Sequence, residues 1–315
     1  MPMRRRIYIA ILAVLASLVL SVLKLLVLPG PVNDFQVPIC GARALLHGLD
    51  PYSGICTIGA EQDAYATYPM TAILAVMPFT VFGNQTSNAI FVWAAINGLL
   101  AFALLHDNRP WRLLLFTSAV YWQAFDTYQW SPFITAIAFM PGLLPLALVK
   151  PHTGLAVILT NLTRRRALGL AAFLLLSLAV YPTWPLRWLT QARSYDGYIP
   201  LLAMPLGLLV LLAMVRWREK RAWFYLLTAA VPQRGLYDPL ALGWLAGNPR
   251  QMLFLAAMSW SAFLPGLGWL TRYIPPFLLS VYLPALVLVL FPNFLAEPFP
   301  FNLQWKLTRA RASDD

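Results

Sequence analysis

Long runs of apolar residues dominate the chain, and short polar or proline-rich connectors separate them. The first run, residues 7–28, is about 22 residues long, enough to cross a hydrocarbon core of about 30 Å. It follows a basic triplet and has no small-residue cleavage site, so we predict an uncleaved anchor with a cytoplasmic N-terminus. The connector over about 29–68 is then the first outer loop.

The later apolar segments are shorter, and several cannot cross a membrane as a full helix. They cover residues 69–82, 89–105, 113–125, 133–149, 153–162, 167–181, 199–215, 222–231, 240–246, 252–270 and 276–291. Prolines within or beside these runs indicate kinked or broken helices. The pattern predicts an all-α polytopic membrane protein with about 9 to 12 transmembrane or half-membrane helices.

Composition agrees with a membrane class. The chain is 60% hydrophobic and 11% charged, whereas roughly a quarter of the residues of soluble proteins are charged. The net charge of +11 comes largely from basic clusters in connectors, as the positive-inside rule describes, so we predict no nucleic-acid partner. These clusters are Arg4–Arg6, Arg164–Arg166, residues 216–221, and Lys306, Arg309 and Arg311.

The chain is predicted to form a single integral membrane domain over residues 1–296, followed by a cytoplasmic tail over 297–315. The side of the connector 106–112 stays open at this stage. Its basic residues favour the cytoplasm, but counting residues 69–105 as two full crossings would place it outside.

Asp34 is the first carboxylate after the first span, within the sequence Asn33-Asp34-Phe35-Gln36. One hypothesis makes it a general base at the outer surface. The other makes it the N-cap of a short amphipathic helix over residues 37–47, where an Asp side chain accepts hydrogen bonds from free backbone N–H groups. The two roles are not exclusive.

Lys150 and His152 interrupt an apolar stretch, and an ionisable group at membrane depth is a candidate for function. A phosphate would suit both, although Lys150 could instead reach an interface with its amine. Asp238 is either a partner across a cavity or a helix cap. Arg43 is either an ordinary interface arginine or a partner for an acidic group or a phosphate.

The two cysteines, Cys40 and Cys56, both fall in the first outer loop. That compartment permits a disulfide, but their spacing alone does not establish one. Neither a zinc ligand set nor a nucleotide-binding fingerprint is visible, so no metal and no cofactor is predicted.

Several of these motifs together resemble the polyprenol-phosphate-sugar-dependent C-type glycosyltransferases, in particular glycosyltransferase family 87, which includes phosphatidylinositol mannoside mannosyltransferases. The motifs are Asp34-Phe35, the Ala-Arg-Ala-Leu-Leu-His-Gly run from Ala42 to Gly48, Asp50-Pro51-Tyr52, Tyr68-Pro69-Met70, Gln129-Trp130-Ser131-Pro132, Lys150-Pro151-His152 and Tyr237-Asp238. The chain departs from the family pattern at Tyr128, Met70 and Gln233, where a glycine, a second proline and a Pro-His pair are usual.

The resemblance implies an inverting hexosyltransferase on the outer face of a bacterial plasma membrane, with mannose as one candidate sugar. Asp34 would be the general base, the donor a polyprenyl-phosphate sugar, and the acceptor a lipid or glycan among membrane lipids. The residues nominated for substrate binding are Arg43, Tyr68, Gln129, Lys150, His152, Gln233, Arg234, Tyr237 and Asp238. The alternative is a non-catalytic lipid-linked sugar transporter or flippase, or a degenerate scaffold of the same fold.

Overall fold

The computed structural model describes residues 1–27, 33–52, 67–192, 197–264 and 277–295, and in these ranges the protein is all helical. The α-helices described are α1 (Met3–Val27), α2 (Asn33–Leu46), α3 (Met70–Val76), α4 (Gln85–Leu104), α5 (Ala119–Thr127), α6 (Ser131–Phe139), α7 (Pro151–Asn161), α8 (Arg164–Val180), α9 (Trp184–Ala192), α10 (Lys220–Ala230), α11 (Pro249–Ser259) and α12 (Leu283–Leu290). The tail predicted over 297–315 lies outside the described residues.

Tighter helices connect many of the α-helices. There are 3₁₀ helices at Met77–Phe79, Pro110–Thr117, Pro141–Val149, Pro200–Leu202, Leu206–Arg216, Asp238–Leu245 and Trp260–Phe263, and a π-helix at Leu278–Tyr282. Within the described ranges, β-type pairing is limited to one isolated antiparallel bridge between Tyr198 and Gln233.

Two helices, α1 and α4, are long and apolar enough to cross a membrane. Helices α8 and α9 meet at a bend of 89° and make a third candidate if they count as one broken span. Along α1, large apolar side chains such as Leu12, Leu15 and Val19 are exposed. A continuous apolar surface of this kind suits lipid rather than water. An all-α protein with membrane-type helices is therefore confirmed.

Helices α1 and α4 pack in opposite directions. A Cβ added to Gly98 of α4 would lie 2.5 Å from Val14 Cγ2 of α1, so the two backbones approach closely. The Met1 amino group donates to the side chain of Asn108, just beyond the end of α4. At the other end of α4, Gln36 of α2 donates to Thr86 at 3.1 Å.

The bundle therefore has two ends, which we call the N-terminal end, at Met1, and the α2 end. The connector 106–112 belongs to the N-terminal end, because Asn108 contacts Met1. The short segment predicted over 69–82 is a half-length helix, α3, extended by Met77–Phe79. It stays at the α2 end, because Tyr68 before it and Gly83 after it both contact α2. The connector 106–112 therefore lies at the same end of the bundle as Met1, and residues 69–82 do not make a full crossing between them.

The prediction of one segment over 133–149 is wrong, because the chain reverses there. Helix α6 ends at Phe139, and Pro141, which has no backbone N–H, begins a separate 3₁₀ helix. Phe139 lies under Arg112, at 4.8 Å from the ring centroid, toward the N-terminal end. Lys150, after the second helix, returns to within 3.1 Å of Gln129, which precedes the first.

The prediction of one segment over 113–125 is also wrong. The run divides at Ser118 into a 3₁₀ helix and α5. The Ser118 side chain accepts a hydrogen bond from the backbone N–H of Tyr121 and so caps α5. A capping serine inside an apolar run therefore ends one helix and begins the next.

Contacts between connectors agree with this division into two ends. At the α2 end, Arg187 pairs with Asp50 at 3.2 Å and Trp188 donates to the Thr67 carbonyl at 3.0 Å. At the N-terminal end, Asn161 accepts from Lys220 at 2.7 Å, and its carbonyl accepts from Arg166 at 2.7 Å. The basic clusters within the described residues, Arg4–Arg6, Arg164–Arg166 and 216–221, thus lie away from α2.

Cysteines introduced one at a time should report this arrangement in sealed vesicles. Pro2→Cys and Asn108→Cys should react with a membrane-impermeant maleimide from the same side, because both positions lie at the N-terminal end. Leu49→Cys, at an exposed position of the α2 end, should react from the opposite side. The protein without an introduced cysteine is the blank, and labelling of Asn108→Cys from the Leu49→Cys side would contradict the arrangement.

Candidate functional site

A sharp corner at Tyr128 directs Gln129 and Trp130 into the site. Tyr128 ends α5 in the left-handed conformation, with φ of 50°, which glycine adopts without the steric cost that a side chain brings. The Tyr128 ring stacks on Trp93 at 5.3 Å and 5°, and the Lys24 ammonium lies 5.1 Å from its centroid. These contacts offset the strain at a position where the resembled family has glycine.

Helix α2 spans Asn33–Leu46, so the hypothesis that Asp34 is the N-cap of a helix over 37–47 is wrong. Asp34 lies inside the first turn, and its carboxylate accepts hydrogen bonds from distant side chains instead. Phe35 fixes the start of the helix, since its buried ring packs edge-on against Trp130 at 4.8 Å. Cys40 of α2 is disulfide-bonded, whereas Cys56 lies outside the described residues.

The Asp34 carboxylate is held through one oxygen. The Tyr68 hydroxyl donates to Oδ2 at 3.0 Å, and the Gln129 side-chain amide donates to the same oxygen. No donor from the described part of the chain contacts Oδ1, and the side chain is only partly buried. A fixed carboxylate with one oxygen left over can accept a proton from a bound hydroxyl group.

The surroundings of Asp34 change the pKa of its carboxyl group in two opposite directions. Burial raises the pKa of Asp34 above its ordinary value, while the Lys150 ammonium, the Tyr68 hydrogen bond, the Arg234 charge and the Gln129 amide oppose the rise. Burial and the neighbouring Asp34 raise the pKa of Tyr68, so that Tyr68 remains a protonated donor. A carboxylate with a raised pKa is a stronger base while it is still ionised at neutral pH.

A buried ion pair lies behind Asp34. Lys150 Nζ is 2.7 Å from Asp238 Oδ1 and 3.1 Å from Gln129 Oε1, and its charge lies 5.1 Å from the centroid of the Tyr237 ring. Asp238 Oδ2 accepts the backbone N–H of Arg234 at 2.7 Å. Lys150 and Asp238 are 5% and 3% exposed, so nearly all of their charge is balanced by protein groups rather than water.

The structure therefore brings together most of the residues nominated from sequence. Asp34, Tyr68, Gln129, Lys150, Tyr237 and Asp238 are linked by direct contacts. His152, at the start of α7, is close enough to Lys150 and Asp238 to interact with both charges. Arg234 is exposed, and its charge acts on Asp34.

Two nominated residues have other contacts. Arg43 donates to the Gly83 carbonyl, on a different part of α2 from Asp34. Gln233 is fully buried, its side chain donates to the Thr228 carbonyl at 2.7 Å, and its backbone pairs with Tyr198. Gln233 therefore shapes the loop that carries Arg234.

Sequence reasoning gave Trp130 no role, although it lies at the centre of the site. Its ring packs on Phe35 and Tyr68, and its Nε1 is buried without a hydrogen-bond partner in the described part of the chain. The only sequence signal was its place directly after Gln129 in a quoted motif. Within the described residues, no group of three or more His, Cys, Asp or Glu side chains could hold a metal ion.

The chain matches no protein-family model, no curated protein and no solved structure. The resemblance to C-type glycosyltransferases therefore depends on the motifs quoted from the sequence.

The buried pair can be compared with an exposed one by unfolding the purified protein in detergent. Lys150→Met should lower the free energy of unfolding by about 3–5 kcal/mol, because it leaves the Asp238 carboxylate buried without a counter-charge. Arg187→Met is the matched control, because it removes the partner of Asp50 from a pair whose side chains are 54% and 26% exposed. It should cost about 0–1 kcal/mol. Equal losses would contradict the description of Lys150–Asp238 as a buried pair.

Proposed function

We propose that the protein is a membrane hexosyltransferase that moves a sugar from a polyprenyl-phosphate donor to a lipid or glycan acceptor. The observation that carries this proposal is the Asp34 carboxylate, fixed at Oδ2 by Tyr68 and Gln129 and partly exposed. Its raised pKa suits a general base. The motif resemblance supplies the substrate class, with mannose as one candidate sugar.

In the proposed reaction, Asp34 takes the proton from the acceptor hydroxyl as its oxygen attacks the anomeric carbon. A bond forms between that oxygen and the anomeric carbon, and the bond from that carbon to the phosphate oxygen breaks. The electron pair leaves with the polyprenyl phosphate, and the anomeric configuration inverts. Asp34 then releases its proton to water. The donor's phosphate bond supplies the driving force, so no cofactor is required.

The leaving phosphate gains negative charge and needs a cation. Arg234 fits this role because its side chain is exposed near Asp34 and pairs with no carboxylate in the described part of the chain. A guanidinium binds phosphate through two parallel hydrogen bonds. Lys150 is less suited to direct contact, because its ammonium is buried and already bound by Asp238 and Gln129.

The proposed architecture is a C-type-glycosyltransferase-like bundle of about 9 to 12 transmembrane or half-membrane helices. The hairpin formed by α6 and Pro141–Val149 supports it, because one apolar run of the sequence there forms two short helices that run in opposite directions. The 3₁₀ helices also support it, since they rise about 2.0 Å per residue, compared with 1.5 Å in an α-helix. Short segments can therefore reach deeper than their length suggests.

The proposed orientation puts the N-terminal end in the cytoplasm of a bacterial cell and the α2 end outside its plasma membrane. The basic clusters Arg4–Arg6 and Arg164–Arg166 and residues 216–221 support it, because cytoplasmic connectors are rich in Lys and Arg. The acceptor and donor would then meet Asp34 at the outer surface.

Purified protein reconstituted in vesicles tests the proposal directly. The vesicles contain a membrane lipid extract and radiolabelled polyprenyl-phosphate mannose, glucose or arabinose, each in a separate assay. We expect a labelled lipid or glycan product from one donor. Asp34→Asn should lower the rate by about 10²- to 10⁴-fold, because it removes the base.

Asp107→Asn is the matched control, since the Asp107 side chain is 49% exposed and pairs with Arg112 at the N-terminal end, away from the site. It should retain the wild-type rate. Full activity in Asp34→Asn would exclude Asp34 as the base. Movement of labelled donor across the vesicle membrane without product would favour a transporter or flippase, and neither product nor movement would favour a degenerate scaffold.

A further inference from the structure

A chain of hydrogen bonds runs from the backbone of the Arg234 loop to the Asp34 carboxylate. The Arg234 N–H donates to Asp238, Asp238 accepts from Lys150, Lys150 donates to Gln129, and Gln129 donates to Asp34. Its interior members, Gln129, Lys150 and Asp238, are each less than a tenth exposed. The proposed function gives roles to Asp34 and Arg234 but none to the buried pair of Lys150 and Asp238.

The donor and acceptor properties of these groups allow only one direction for each hydrogen bond in this series. A side-chain amide can present either its carbonyl oxygen or its NH₂ group to a neighbour, and the two orientations have nearly the same shape. An ammonium can only donate hydrogen bonds, so the group of Gln129 that faces Lys150 must be its carbonyl oxygen. The NH₂ group of Gln129 must then face Asp34, where an ionised carboxylate accepts it.

Asp238 fixes the position of Lys150, as Lys150 fixes the orientation of the Gln129 amide. An ionised carboxylate only accepts, and it takes one hydrogen bond from Lys150 at 2.7 Å and one from the Arg234 backbone at 2.7 Å. The ammonium is thereby fixed in space. The Tyr237 ring, 5.1 Å from Lys150 Nζ, stabilises the charge from another side.

We propose that Lys150, held by Asp238, is a positioning residue that fixes the amide orientation of Gln129 and thereby keeps Asp34 ionised and correctly oriented. The catalytic consequence rests on the proposed function, whereas the orientation and the protonation of Asp34 exist without turnover. Lys150 acts through Gln129 and touches no substrate. This role differs from the phosphate-binding role expected from the sequence.

The charges around Asp34 predict opposite effects for the two members of the pair. Among the described residues, the groups that act on Asp34 are Lys150 before α7, Tyr68 before α3, Arg234 in the loop after α10 and Gln129 at the α5–α6 corner. Asp238 lies directly behind Lys150. Removing the Lys150 cation should raise the pKa of Asp34. Asp238→Asn removes the anion but keeps an oxygen that can accept from Lys150, so it should lower the pKa of Asp34.

Infrared titration of the full chain in lipid nanodiscs measures this protonation without any substrate. The carboxylic acid band of Asp34 is identified as the band that Asp34→Asn removes. Lys150→Met should shift its midpoint to higher pH, and Asp238→Asn should shift it to lower pH. Gln129→Leu keeps both charges of the pair and should also raise the midpoint, so it tests the proposal even if Lys150→Met does not fold.

Arg43→Gln is the control, because Arg43 is a cation of the same helix as Asp34 that contacts Gly83 instead. It should leave the midpoint unchanged. The proposal is overturned if Gln129→Leu and the folded variants of the pair titrate like the wild type.

Transfer kinetics separate positioning from phosphate binding. A positioning role predicts that Gln129→Leu and Lys150→Met each lower kcat by about 100-fold, as small misplacements of a base can do, with little change in KM for the donor. Direct phosphate binding by Lys150 would instead raise KM in Lys150→Met alone, and that result would overturn the proposal. If the wild type transfers no sugar, the proposed function fails, and the infrared titration still decides the role of Lys150.

Discussion

The buried ion pair between Lys150 and Asp238 is the constraint on which the rest of the site depends. Removing two charges from water costs several kcal/mol per ion, so the pair persists only where other groups complete its hydrogen bonding. Gln129, the Arg234 backbone and the Tyr237 ring do so here. The same contacts tie the starts of α7 and of Asp238–Leu245 to the corner at Tyr128, and through Gln129 to α2.

The backbone offers these polar groups where its helices begin. Tyr68, Lys150 and Asp238 each precede a proline near the start of a helix. Pro69 is the N-cap of α3, Pro151 is the first residue of α7, and Pro239 is the second residue of the 3₁₀ helix Asp238–Leu245. Proline is tolerated at the first positions of a helix, where a backbone N–H would have no partner within the helix. Each of these polar residues therefore lies at or just before the start of an apolar helix, where its side chain contacts other elements at the mouth of the bundle. Breaks in the helices and the polar site have one common cause.

Much of the fold can be predicted from local sequence pattern, because the length of an apolar run and the basic residues of a connector are both read within a short stretch of sequence. The span at α1, the half-length α3 and the helix at α4 could be predicted in this way. The hairpin over 131–149 could not, since its apolar run continues through the break and only Pro141 marks the reversal. The division at Ser118 was missed for the same reason.

The site could be predicted as a set of residues but not as a set of contacts. Local pattern offered a helix cap as one role for Asp34, whereas its actual partners are 34 and 95 residues away in sequence. Nothing in the sequence assigned Lys150 to Asp238, 88 residues away, rather than to a phosphate. Arg43 belongs to the most specific motif, yet its partner is a backbone carbonyl outside the site. Long-range pairing is decided by packing of the whole bundle.

Energetic coupling between Asp34 and Lys150 tests this connection most directly, because Gln129 lies between them. The measurement is a double-mutant cycle of Asp34→Ala and Lys150→Met on the free energy of unfolding, made with Gln129 present and again with Gln129→Leu. We expect a coupling of about 0.5–3 kcal/mol with Gln129 present, and a clear loss of that coupling in the Gln129→Leu background. Effects that add to within about 0.3–0.5 kcal/mol when Gln129 is present would contradict the connection between the buried pair and Asp34.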